Sequence, residues 1–99
     1  MRTLIQAILL CGIVTSLGCA GEVKSRTKKQ INVFAIETDA AYEGALNRPA
    51  AVPLATLPQG STVYVLSDTY GKDYWACHIR TQAGQEGWVL CGSLDYRGG

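Results

Sequence analysis

The sequence predicts an all-β domain, a small barrel or sandwich of about five short strands. Three observations carry that expectation. Runs rich in β-branched and aromatic residues, such as "INVFAI" and "STVYVL", recur along the chain. Short Gly- and Pro-containing turns separate them. Beyond the first 18 residues, apolar residues do not recur at helical spacing over any useful length. Ninety-nine residues allow one small domain at most.

The first 18 residues stand apart. Met1 and Arg2 precede "TLIQAILLCGIVTSLG", with no further charge until Glu22. A basic start, an apolar run and small closing residues have the form of an export signal. The run is at the short end of the ~17–25 residues a membrane-spanning helix needs, and no basic cluster directly follows it. With the signal removed, eight basic and eight acidic residues remain, so the exported part is formally neutral. A nucleic-acid partner calls for a basic excess, so nucleic acid is not expected.

Residues 15–21, "TSLGCAG", resemble the cleavage box of a bacterial lipoprotein signal, with Gly18 before the cysteine. That resemblance implies a signal peptide over 1–18 and lipidation of Cys19. Ser16 and Leu17 depart from the usual box, which places Leu three residues before the cysteine and a small residue two before. The alternative is ordinary cleavage after Ala20, where Gly18-Cys19-Ala20 has the small-x-small form. Cysteine arithmetic favours the lipid: Cys11 leaves with the signal, Cys19 is used, and Cys77 and Cys91 remain as an even pair. Several acyl chains, at ~0.8 kcal/mol per buried CH₂, anchor a protein stably.

Residues 19–30 read as a polar linker, with Lys24, Arg26, Lys28 and Lys29 as solvated charges or as attractors of anionic lipid or wall polymer. The domain then spans 31–96. "INVFAI" is its first strand, and "ETDAAYEGALNRPAAVP", broken by Gly44, Pro49 and Pro53, is mainly loop. "LATL" is followed by a turn at Pro58-Gln59-Gly60. In "STVYVL", Val63 and Val65 share one face while Thr62 and Tyr64 share the other. "SDTYGKD" is a loop bending at Gly71. "YWACHIR" and "EGWVLC" form a hairpin around Gln82-Ala83-Gly84-Gln85, with Gly84 at a positive φ. Gly98 and Gly99 end the chain.

Centring that hairpin on Gly84 sets Cys77 opposite Cys91 and points Cys77, Ile79, Val89 and Cys91 inward. Two cysteines in an exported small domain usually pair, and a bridge over a loop of this length is worth about 3 kcal/mol. The alternative is two independent buried thiols.

"LPQGSTVYVLS" and "YWACHIRTQAGQEGWVLCGSL" together resemble the bacterial SH3-like domain. The shared features are Leu57 and Gly60 turning into a strand, Tyr74 or Trp75 opening the next, Gly84 in the hairpin, Gly87-Trp88-Val89, and Leu94. The likeness covers about residues 54–94 and implies a small SH3-like barrel used for binding. The family's Asn-, Arg- and Gly-Pro-containing segment before the second strand is replaced here by residues 37–53. Ligand residues are therefore not carried across in that loop.

The residues suggest no enzyme. Cys77 and His78 are adjacent on a strand and point to opposite faces, so they cannot form a nucleophile–base pair. One His and two Cys without metal-ligand spacing make no metal site, and no cofactor motif is visible. What remains is surface: Tyr42, Tyr64, Tyr70, Tyr74 and Trp88 are the candidate ligand contacts, as aromatics that pack on sugars or peptide side chains. Trp75 and Trp88 serve equally as caps on the ends of a small core. The sequence thus predicts an exported, lipid-anchored binding module of the cell envelope, on the periplasmic side, whose partner is peptidoglycan or an envelope protein. The alternative is a structural or inhibitory subunit docking on a larger envelope protein.

Overall fold

The computed structural model describes residues 22–98; the expected signal segment, Cys19 and the first residues of the expected linker lie outside them. The fold is mostly β and antiparallel. Strands β1 (Val23–Arg26), β4 (Thr62–Tyr70), β5 (Trp75–Thr81) and β6 (Glu86–Leu90) form one sheet in the order β1-β4-β5-β6. Strands β2 (Ile31–Val33) and β3 (Ala55–Leu57) form a second. Reciprocal backbone hydrogen bonds between Phe34 and Trp88 tie β2 to β6, and a bridge from Thr27 to Leu94 ties the end of β1 to the chain beyond β6. A five-residue helix, α1 (Glu37–Ala41), packs on β5 and β6.

Alternation along β4, β5 and β6 builds the core. Val63, Val65, Cys77, Ile79 and Val89 are all buried, joined by Val33, Cys91 and Leu94. Each such aliphatic side chain contributes about 1.5–3 kcal/mol by leaving water. Cys77 and Cys91 form a disulfide across this core, with Cα atoms 5.1 Å apart.

The register differs from the one centred on Gly84. Cys77 pairs with Val89, and Ile79 with Gly87. The cause is the turn: Gly84 N–H donates to the Thr81 carbonyl, Gly84 takes φ +92°, and Thr81 N–H closes onto the Gln85 carbonyl. A type I turn followed by a left-handed residue is an asymmetric hairpin loop, which displaces the partner strand. The displacement is two residues, so every side chain keeps its expected face. Cys91 still reaches Cys77 because the chain bends into a 3₁₀ turn at Cys91–Ser93.

Two further expectations are corrected. The segment read as polar linker is β1 from Val23 onward, paired with Val65 through Thr62 of β4. Its inward residues are Ser25 and Thr27, each only 3% exposed. Thr27 satisfies its hydroxyl by donating to the Pro58 carbonyl and accepting from Ser61 N–H. Because the buried face is hydroxylic, the alternation carries no apolar signal. The loop expected over "SDTYGKD" is mostly strand, since β4 continues to Tyr70 past a bulge between Val65 and Ser67. One extra residue shifts the alternation phase, which hides the strand's second half. Residues 37–53 are mainly loop, as expected, apart from α1, whose single buried side chain, Ala40, is too little to show a helical period.

Gly87 explains one motif residue. A Cβ there would lie 2.6 Å from Val33 Cγ1 and 2.7 Å from the Phe34 carbonyl oxygen, so only glycine lets the two sheets meet.

Candidate functional site

Three segments converge above the β2–β6 junction: α1, the loop over residues 42–54, and the β4–β5 hairpin at residues 71–74. The loop and α1 line a cleft of about 500 Å³, floored by the buried Phe34 and walled by Tyr42, Leu46, Arg48 and Pro49, while the hairpin stands outside it against Tyr42 and Glu37. Tyr42 meets Tyr74 edge-to-face, with ring centroids 5.7 Å apart. This is the T-shaped geometry that ring quadrupoles prefer. Gly71 makes room for it: a Cβ there would lie 2.1 Å from the Tyr74 ring.

Polar contacts fix both rings. The Tyr42 hydroxyl donates to Asp73 Oδ1 at 2.8 Å, and the Tyr74 hydroxyl donates to Glu37 Oε2 at 2.5 Å. Arg48 pairs with Asp39 at 2.7 Å and lies 5.7 Å from the centroid of the Tyr42 ring. Asn32 links the cleft to β3, donating to Glu43 Oε2 and accepting from the Thr56 hydroxyl. The hydrogen bond to Asp73, reinforced by desolvation, raises the Tyr42 phenol above its ordinary pKa. The bond to Glu37, then desolvation and the Glu37 charge, push Tyr74 up to about 12. A phenol whose folded pKa is raised contributes stability that is complete below about pH 10 and is lost as pH rises through its folded value. On the alkaline side, the stability linked to the Tyr74 hydroxyl is therefore lost only as pH rises towards about 12.

The five candidate ligand aromatics do not share one groove. Tyr42 and Tyr74 meet at the cleft. Tyr70 stacks on Trp75, which in turn packs against Tyr96, with ring centroids 5.6 and 5.8 Å apart. Asp68 Oδ2 accepts from Trp75 Nε1 at 2.7 Å in that cluster, and desolvation raises Tyr96 there. Tyr64 lies under Arg80, whose guanidinium carbon is 5.1 Å from its centroid and which pairs with Glu22. Trp88 packs on His78 at 4.9 Å. Trp75 packs against the core. A smaller cleft of about 290 Å³ between β2, α1 and β6 carries no aromatic side chain.

Glu37, Asp39, Arg48 and Asp73 were missed as site residues. Asp73 and Glu37 reach the tyrosines from 31 and 37 positions away, and no local pattern signals such pairs. Chemically, the arrangement offers an aromatic face, carboxylates and a guanidinium around an apolar floor. Cys77 is locked in its disulfide, and His78 faces Trp88 on the other side of the strand. Among the described residues no group of three or more His, Cys, Asp or Glu could hold a metal ion, and no helix is long and apolar enough to cross a membrane. Comparison with protein-family models, curated proteins and solved structures returned no match.

Proposed function

We propose that this chain is a non-catalytic binding module of the cell envelope, an SH3-like barrel exported by its N-terminal signal and anchored through a lipid on Cys19. The cleft beside Tyr42 holds its partner, and peptidoglycan is the reading favoured by the aromatic wall. The observation that carries it is the Tyr42–Tyr74 pair, clasped by Asp73 and Glu37 beside a cleft of ligand size. Rings held in advance spend little entropy on binding. Two backbone bridges support the barrel reading: Phe34 with Trp88, which links the two sheets, and Thr27 with Leu94, which ties the end of β1 to the chain beyond β6.

The mature protein, purified from membranes in detergent, is expected to sediment with isolated sacculi. Tyr42→Ala is expected to weaken that binding about 30-fold, the size of an aromatic hot spot. Tyr74→Phe, which keeps the ring, is expected to retain most of it. Circular dichroism first establishes that both variants are folded. Absence of sedimentation at low salt overturns the wall-binding reading. One observation then favours the docking-subunit alternative: Leu46 and Val52, on the same loop as the cleft, are 104% and 89% exposed.

A further inference from the structure

The correction at β1 changes what the N-terminal cations can do. Because Val23–Arg26 is a strand, only Ala20, Gly21 and Glu22 separate Cys19 from the folded domain, where a 12-residue linker was expected. Four residue steps span at most about 14 Å. A lipid on Cys19 would therefore hold the start of β1 close to the headgroups, and the inference rests on that anchor reading.

The strand also sorts its side chains. Ser25 and Thr27 turn inward, which leaves Lys24, Arg26 and Lys28 exposed, with Lys29 exposed beside them. Half of the eight Lys and Arg of the exported part lie in these six positions, and no acidic residue occurs from Val23 to Ile36. None of the four cations has a carboxylate within ion-pair distance among the described residues, whereas Arg48 and Arg80 are paired. Asp95, beside the end of β1, has its Oδ1 engaged by the Arg26 main-chain N–H at 2.9 Å.

We propose that the outer surface of β1 and of the bend after it, through Lys24 and Arg26 on the strand and Lys28 and Lys29 on the bend, docks on the anionic phospholipid headgroups of the membrane that holds Cys19. Two features fit this occupant. The stripe is positive in a domain that is otherwise acidic by the same amount, so charge complementarity is local and one-sided. Its position on the strand nearest Cys19 keeps it within one or two Debye lengths of the surface, about 8 Å each at physiological ionic strength. Each such charge is worth about a fivefold gain in partitioning onto an anionic bilayer. The anchor supplies the stay at the membrane, and the stripe supplies an orientation, with the Tyr42 cleft carried on the same rigid domain.

The test uses the mature protein isolated from membranes. Its intact mass is measured first; a mass without acyl chains overturns both the anchor and this docking. The acylated protein is then placed in vesicles of phosphatidylcholine alone or with roughly one-third phosphatidylglycerol. Lysines are labelled from outside with an amine-reactive reagent and quantified one by one, with Lys72 on the β4–β5 loop as the internal reference. Labelling of Lys24, Lys28 and Lys29 relative to Lys72 is expected to fall about fivefold or more in the anionic vesicles. The protection is expected to vanish near 1 M salt, where the Debye length is about 3 Å. In the Lys24→Gln/Lys28→Gln variant, Lys29 is expected to lose its protection in the anionic vesicles. Equal labelling in both vesicles overturns the docking while leaving the anchor intact. Equal protection by soluble polyphosphate with neutral vesicles reassigns the stripe to a soluble polyanion and overturns the membrane assignment.

Discussion

The β4–β5–β6 hairpins and the segment from Glu37 to Leu54 are held together by different forces. The hairpins bury Val63, Val65, Ile79 and Val89 against a disulfide, and their alternation leaves few polar atoms inside. The segment from Glu37 to Leu54 buries Ala40 and otherwise rests on side-chain pairs: Tyr74 with Glu37, Tyr42 with Asp73, Arg48 with Asp39, and Asn32 with Glu43. Such partly exposed pairs contribute little to stability each, but they fix orientation. The comparison separates a part that keeps the domain folded from a part that shapes a surface. In a domain this small the core alone supplies a narrow margin, which is why the covalent tie sits in the hairpins.

Removing that tie is expected to have the largest effect. Cys77→Ala/Cys91→Ala should cost about 2–5 kcal/mol in urea unfolding. A loss below about 1 kcal/mol would break the contrast, because it would place the stability elsewhere. Gly87→Ala comes next. Its Cβ would press on Val33 and the Phe34 carbonyl oxygen, so a loss of about 1–3 kcal/mol is expected from overpacking. Hydrogen exchange at Phe34 and Trp88, whose amides join the two sheets, should rise in the same variant. The smallest effect belongs to the other region. Leu46→Ser/Val52→Ser should change stability by less than about 0.5 kcal/mol, since both side chains already lie in water. A larger loss would show that the loop covers apolar surface after all.

The same division governs what was legible before any coordinates. The inward set Cys77, Ile79, Val89 and Cys91 was read correctly although the hairpin register was wrong. Parity explains it: a shift by two residues moves partners but not faces. The turn glycines Gly60 and Gly84 were read correctly too, at φ +83° and +92°, because a positive φ is a local demand that only glycine meets freely. The disulfide followed from the same parity and from the even cysteine count. The candidate site was legible only in part. Tyr42 and Tyr74 meet, but Tyr64, Tyr70 and Trp88 go to three other places.

Alternation, turn chemistry and the Cys77–Cys91 pairing are properties of near neighbours, so the chain's own order was enough to specify an all-β core. Membership of β1, the bulge after Val65 and the clasp on the two tyrosines depend on partners far along the chain. Ser25 and Thr27 are inside because β4 and Pro58–Ser61 supply their surroundings, not because they are apolar. Asp73 and Glu37 become site residues only when the β4–β5 hairpin is packed beside α1. A polar side chain's place is set by the partner it finds, and that partner exists only once the chain has folded.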